Sequence, residues 1–234
     1  MYNNFGVNMK KDKIDIIYED KFIIVVNKPA HLLTISTENE KERTLFHKVI
    51  NYEKQKNKNN KIFIVHRLDR DTSGLIVFAK SEKVKKILQD NWDEMAKTRG
   101  YVAVVEGRIE KKKDTIKNWI KEKIDFTSYT SDKPNDGKIA ITKYELLNTS
   151  KSYSLLKIEI LTGRKNQIRV HMKDIGHPIV GDKKYGAKTN PLKRLGLHAN
   201  ILELEHPITH QILKLESKVP SIMLNMFTKK TKDN

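Results

Sequence analysis

The residues best able to do chemistry lie in one charged stretch, VHRLDRDTSGLIVFAK (residues 65–80), where Asp69 stands between Arg67 and Arg70. A neighbouring guanidinium favours the ionised form of a carboxyl group with a reference pKa of about 3.9, so Asp69 is expected to be a carboxylate at neutral pH. Such a group can attack an electrophilic carbon, stabilise a developing oxocarbenium ion or remove a proton. The competing reading is a solvated turn with local Asp–Arg pairs. Asp71, followed by Thr72, Ser73 and Gly74, suits a turn that closes on its own backbone and is assigned to structure. His66, at a strand end, could act as a general base but reads first as a hydrogen-bonded support.

A second basic stretch is LTGRKNQIRVHMKDIGHPIVGDKKYG (residues 161–186). Thr162 and Gly163 lead into a helix expected over Lys165 to about Ile175, with Ile168, Met172 and Ile175 on one apolar face. Lys165, Arg169 and Lys173, four apart, should share another flank that meets phosphate or a buried carboxylate. Of 46 cationic side chains only eight are Arg, and four of these, Arg67, Arg70, Arg164 and Arg169, fall in the two stretches. A planar guanidinium grips carboxylate or phosphate at two points, so the sparing use of Arg marks these stretches as sites.

The elements that must hold them follow from periodicity. Strands are expected at Ile14–Tyr18, Phe22–Asn27, Ile62–Val65, Gly74–Ala79, Tyr101–Glu106, Ile139–Leu147, Tyr153–Leu161, Leu197–Leu204 and Ile212–Leu215. A short helix fits Thr44–Tyr52, and Glu53–Lys61 reads as a solvated basic loop. Ser81 can cap a helix through about Met95 that carries Val84, Ile87, Leu88 and Trp92 as a core stripe. Strands come in runs, which predicts an α+β fold: a mixed, largely antiparallel central sheet with flanking helices and loops, and a cleft across the sheet. Residues 1–13 read as a basic tail, 14–228 as one domain, and 229–234 as a C-terminal tail.

A formal charge of +17 gives a surface that attracts polyanions, nucleic acid above all, because phosphate contacts release condensed counterions. The absence of cysteine excludes disulfides, zinc–thiolate sites and a thiolate nucleophile. No window approaches the roughly 18 consecutive apolar residues of a membrane span, and the N-terminus has no secretory apolar stretch, so the expected address is the cytoplasm. GDKKYGAKT (181–189) nearly spells a phosphate-binding loop, but Ala187 spoils its spacing. His206 and His210 have the spacing of a helical metal pair, but Pro207 opposes that helix and no metal is expected.

Taken together, the stretches resemble the RluA-type pseudouridine synthase family from about Ile14 to Pro220. The resemblance rests on VVNKPAHLLT (25–34), VHRLDRDTSGLIVFAK, Tyr101 in RGYVAVVEG, KIAITKYELL (138–147), LTGRKNQIRVHM with GHPIVGDKKYG, and LGLHANILELEHP (195–207), in that order. It implies an isomerase that flips a uridine out of ribosomal or transfer RNA, breaks its C–N bond and rejoins the base through carbon, without a cofactor, with 14–228 as the catalytic domain and no separate N-terminal RNA-binding module expected. It further implies Asp69 as the catalytic aspartate, Tyr101 as the active-site tyrosine and Arg169 as the partner of Asp69. Arg67 would hold the place of the extruded nucleotide. The RNA-facing set drawn from the two stretches is His66, Arg67, Arg70, Arg164, Lys165, Asn166, Gln167 and Lys173. Asn166 departs from the His of many relatives, and an altered RNA or helix contact is expected there. The chain is expected to be a monomer with no protein partner. The alternatives are a non-catalytic RNA-binding or ribosome-associated protein, and an RNA N-glycosidase that would free uracil.

Overall fold

The computed structural model describes residues 14–38, 40–125 and 127–228; the expected tails at 1–13 and 229–234 lie outside them. Strands β1 (Ile16–Glu19) and β2 (Ile23–Lys28) precede helix α1 (Leu45–Lys56), then come β3 (Phe63–Ile64), β4 (Ser73–Ala79), α2 (Glu82–Asp90), the short α3 (Trp92–Met95) and β5 (Ala96–Glu106). Strands β6 (Lys113–Glu122), β7 (Ser128–Ser131), β8 (Lys138–Thr149) and β9 (Tyr153–Ile160) follow, then α4 (Gln167–Asp174), β10 (Leu197–Glu205), β11 (Ile212–Glu216) and α5 (Ser221–Leu224). The strands form one mixed sheet in the order β1-β2-β4-β10-β5-β9-β8-β6-β7, with β3 added to β4 and β11 to β10. Every named pairing is antiparallel except β4 with β10. The architecture is the α+β one that the runs of strands imply.

Helices cover the sheet where strands are apolar on both faces. In β4, Leu75, Val77 and Ala79 pack with Val84 and Leu88 of α2, while Ile76 and Phe78 point the other way onto Leu45 and Val49 of α1. Further along, Ile168 and Met172 of α4 seal Ala103, Val105, Leu156 and Ile158 of β5 and β9. Each such side chain, fully buried, contributes on the order of 1.5–3 kcal/mol, so α4 is fastened to the sheet by its apolar face and its other flank is free for polar work. Ile168, Met172 and partly buried Ile175 form the expected stripe.

The one parallel pairing brings the chemistry together. His198 and Ala199 of β10 face Ser73 and Gly74 of β4, and the same Ala199 pairs with Tyr101 of β5. A β-carbon on Gly74 would lie 2.1 Å from the Ala199 carbonyl oxygen, and its φ of +119° suits no side chain. Only glycine therefore lets β4 approach β10 this closely at Ala199. Beneath it, Arg194 donates to Ser73 Oγ (2.6 Å), Ser73 Oγ meets His198 Nδ1 (2.7 Å), and His198 Nε2 meets Ser217 Oγ (2.9 Å). Burial, and then Arg194, pushes His198 down to about 4, so a neutral imidazole links the strands.

Four expectations are corrected. Helix α1 runs on through Lys56, so Glu53 lies in the helix, buried and salt-bridged to Lys56 and Lys80. The helix after Ser81 breaks at Asn91, whose side chain donates to the Ile87 carbonyl (2.9 Å), so Trp92 opens the separate α3, although it still packs with Val84, Ile87 and Leu88 as expected. Strands β6 and β7 were not anticipated: KDTIKNWIKE is polar on its open face, and its buried Asn118 bonds His171 (2.8 Å) instead of packing as an apolar residue. Helix α4 starts at Gln167 after a left-handed Asn166 (φ 55°), so Lys165 precedes the helix and shares no helical flank with Arg169 and Lys173.

Candidate active site

Asp69 sits on a turn that is pinned on both sides. Thr34 Oγ1 donates to the Leu68 carbonyl (2.8 Å) and accepts from the Leu68 N–H (3.3 Å). Lys28, wholly buried, donates to the Arg70 carbonyl (2.9 Å) as well as to those of Leu32 (2.7 Å) and Pro29 (3.0 Å). With both neighbours' carbonyls held, the Asp69 carboxylate is presented in one direction. Thr34 and Lys28 both belong to VVNKPAHLLT, whose resemblance was visible in the sequence but whose mechanical role was not.

The carboxylate meets Arg169. Nη1 of Arg169 donates to Asp69 Oδ2 (3.1 Å) and to Asn166 Oδ1 (2.9 Å), while Nε and Nη2 grip Asp182 at 2.7 and 2.8 Å. Its guanidinium lies 4.8 Å over the ring of Tyr185. Burial opposes the charge of Arg169, but the hydrogen bonds and charges of Asp182 and Asp69 raise its pKa above the ordinary guanidinium value. The Asp182 side chain is 1% exposed, whereas Asp69 is 29% exposed. Asp182 is thus the fixed anchor and Asp69 the carboxylate that faces the cavity. Asp182 and Tyr185 stand in GDKKYG, a segment that belongs to the family resemblance but whose role in holding Arg169 had no sequence signal.

Asp69, Tyr101 and Arg169 line one cavity of about 340 Å³ together with Ile160, Leu197 and Arg164. A second cavity of about 470 Å³, walled by Trp92, Arg99 and His66, adjoins it and shares Arg67, Tyr101, Gly163 and Arg164. Burial pushes the Tyr101 phenol up to about 12, with Arg99 lowering it and Asp69 raising it. The phenol therefore stays neutral across the working pH range.

A protein-family model described as RNA pseudouridylate synthase matches residues 22–174. The chain belongs to the RNA pseudouridine synthase family. It is 35% identical over 216 residues to the Uncharacterized RNA pseudouridine synthase YhcT of Bacillus subtilis, covering 92% of this chain and 71% of the relative. It is 32% identical to the Ribosomal large subunit pseudouridine synthase D of Escherichia coli over 91% of this chain and 69% of that one. The solved human RNA Pseudouridylate Synthase Domain Containing 4 shares the fold, with a TM-score of 0.74 at 23% identity and 90% coverage of both chains. The activity of the family is that of an isomerase acting on uridine within RNA.

Within this synthase the expected site residues divide sharply. Asp69, Tyr101 and Arg169 converge, and Arg67 and Arg164 line the junction of the two cavities. Arg164 is braced there by donating to the Ile139 carbonyl (2.9 Å). Gln167 stands in the cavity wall but is buried: its oxygen accepts from Arg164 N (3.0 Å) and Thr162 Oγ1 (2.8 Å), and its nitrogen donates to Ile141 O and Thr142 Oγ1. His66 accepts from Val77 N–H (3.0 Å) and stacks 4.4 Å from Trp92; burial, and then Arg99, pushes it down to about 3, which makes it a neutral support. Asp71 pairs with His31 (3.0 Å), and among the described residues no backbone N–H of its own turn reaches its carboxylate. Asn166, the departure from the family pattern, uses its side chain on Arg169. Lys165 pairs with Glu122, Lys173 is exposed beside Asp174, and Arg70 is exposed. His206, read against a metal, accepts from two backbone N–H groups through Nδ1 and pairs with Asp20 through Nε2 (2.8 Å).

Lys28 carries a pH prediction. Burial pushes its ammonium down from 10.5 to about 7, against the pull of Asp71 and Asp69. Between about pH 7 and pH 10.5 the unfolded chain holds a proton that the folded chain has released, so in this window rising pH favours the folded state. The contribution should therefore climb from pH 7 upward, and Lys28→Met should remove that climb. Urea midpoints of both proteins across this window check it; parallel pH profiles would show that Lys28 does not titrate there.

Proposed function

We propose that this synthase converts a uridine of large-subunit ribosomal RNA to pseudouridine, with Asp69 as the reacting group, Arg169 as its positioning partner and Tyr101 as the wall against the flipped base. The carrying observation is the Asp69 carboxylate, hydrogen-bonded to Arg169 at the edge of a cavity that Tyr101 lines. A uridine within a stack is out of reach, so it must be everted at a cost of a few kcal/mol, offset by phosphate contacts and stacking. Arg67, exposed where the two cavities meet, is placed to fill the gap left in the RNA, with Arg164 behind it. The neutral Tyr101 phenol can stack and donate or accept one hydrogen bond without adding charge beside the carboxylate.

In the reaction the C1′–N1 bond breaks, the base turns, C1′–C5 forms, and the proton on C5 passes to solvent as N1 gains one. Asp69 can begin this by attacking the sugar, attacking the base, or removing a sugar proton, and each route needs an ionised carboxylate at a fixed place. Ribosomal RNA is favoured as the target because relatives named for the large ribosomal subunit match about nine tenths of this chain. A ribosomal target places the enzyme in the cytoplasm, with residues 14–228 acting as one catalytic unit that needs no protein partner.

The test is to incubate the purified protein with RNA carrying tritium at carbon five of uridine. Release of tritium without free uracil is expected, whereas free uracil would indicate a glycosidase and neither product a pure binder. Large-subunit ribosomal RNA and transfer RNA offered separately decide the substrate; turnover on transfer RNA alone would overturn the ribosomal assignment.

A further inference from the structure

Asp69 and Asp71 lie on one turn but line different cavities. Asp69 lines the catalytic cavity, while Asp71 lines a separate cleft of about 340 Å³, and Arg169 contributes to the wall of both. The far cleft is strongly basic. Lys183, Lys184, Lys193, Arg194 and Arg169 line it against the carboxylates of Asp71 and Asp182, five cations to two anions. Asp182 and Arg169 pair with each other and Asp71 hydrogen-bonds His31, so the excess positive charge rests on Lys183, Lys184, Lys193 and Arg194. Lys183 and Lys193 are exposed, and no hydrogen bond or ion pair engages their side chains among the described residues. The Arg194 guanidinium is fixed from behind, with Nε on the Leu195 carbonyl (3.0 Å) and Nη2 on Ser73 Oγ and the Leu197 carbonyl. Backbone strain gathers at the same place, since Lys193 (φ 53°) and His31 (φ 64°) both hold left-handed conformations at its edge.

We propose that this cleft binds a phosphodiester of the substrate RNA next to the everted uridine, an inference that rests on the synthase reading above. The 69–71 turn is the ridge over which the chain would pass: base on the Asp69 side, the adjoining sugar–phosphate on the Asp71 side. Held there, the phosphate fixes the register of the nucleotide while carrying no sequence information itself. A pre-fixed Arg and exposed lysines suit a phosphate that must be gripped and released at each turnover. The arrangement also explains GDKKYG: Asp182 and Tyr185 hold Arg169, and the intervening Lys183 and Lys184 face the backbone of the RNA. The segment that fails as a nucleotide-hydrolase loop still meets phosphate.

The test measures affinity for a short uridine-containing RNA against salt concentration in three proteins: wild type, Lys183→Gln/Lys193→Asn, and Lys143→Gln/Lys157→Gln. Asn tolerates the left-handed backbone at 193, and Lys143 and Lys157 are exposed lysines on β8 and β9 that serve as a matched loss of charge. The cleft variant should lose about 0.7 from the log–log salt slope if one single-strand phosphate is released, with the slope of the matched variant unchanged. RNA with neutral methylphosphonate linkages beside the uridine should bind wild type more weakly and the cleft variant no more weakly than ordinary RNA does. An unchanged slope in the cleft variant, or an equal fall in both variants, overturns the proposal. Binding is read without turnover, so a wild type that released no tritium would sink the synthase reading and leave this result standing by itself.

Discussion

Asp69→Asn should leave a folded protein that binds RNA within several-fold of wild type and turns over slower by on the order of 10⁴-fold or more, the scale seen when a reacting group is removed from an otherwise intact site. The change keeps the size of the side chain and its ability to accept from Arg169 Nη1, and Asp69 is 29% exposed, so little stability is at stake. What disappears is the negative charge facing the cavity, and with it nucleophilicity and basicity together. Tritium release under single-turnover conditions and RNA affinity measured in parallel decide the matter. Binding that falls as far as activity would make Asp69 a structural residue and remove the chemistry from this cavity.

Arg169→Ala should damage both stability and activity. It strands Asp182, whose side chain is 1% exposed and whose two oxygens lie on the lost guanidinium. Breaking a buried pair in this way costs about 3–5 kcal/mol, which for a chain of this size lowers the melting temperature by on the order of 10 °C. The double change Arg169→Ala/Asp182→Ala should regain much of the loss, because no unpaired charge is left inside, yet remain inactive, because Asp69 has still lost its partner. Arg169→Lys keeps the charge but cannot span Asp182, Asp69 and Asn166 together, so it should fold and turn over poorly. Calorimetry and tritium release on the four proteins separate anchoring from positioning. If the double variant were as active as wild type, Arg169 would have no part in presenting Asp69.

The contrast between the two carboxylates bears on how the site works. Arg169 is held by a buried anion, an aromatic ring and an asparagine, so it loses little freedom when it binds Asp69. That preorganisation lets a partly exposed carboxylate keep one orientation before RNA arrives. Lys28 and Thr34 do the same for the backbone on either side of it.

Much of this was legible in the chain. The charged DRD turn between apolar strands, the concentration of scarce Arg in two stretches, and the ordered run of family-like segments pointed to Asp69, Tyr101 and Arg169 before any fold was known. Strand periodicity gave the α+β class, and the apolar stripe of α4 was correct because helical spacing alone determines which residues share a face. Polarity misled where the surroundings, not the residue, set the outcome. Gln167 reads as a hydrogen-bonding residue available to RNA, yet the neighbouring strand β8 takes up its amide. Lys-rich β6 carries little strand signal because an antiparallel strand with one wet face buries few apolar groups.

By itself the sequence determined which groups could react, since ionisation, nucleophilicity and hydrogen-bonding capacity belong to side-chain types. Only the tertiary structure decided which of them meet. Arg169 finds Asp69 across 100 residues, Asp182 finds Arg169, and Lys28 holds the turn from a strand 42 positions away. Such pairings, like the parallel junction of β4 with β10 that Gly74 permits, are long-range packing results that no local spacing encodes.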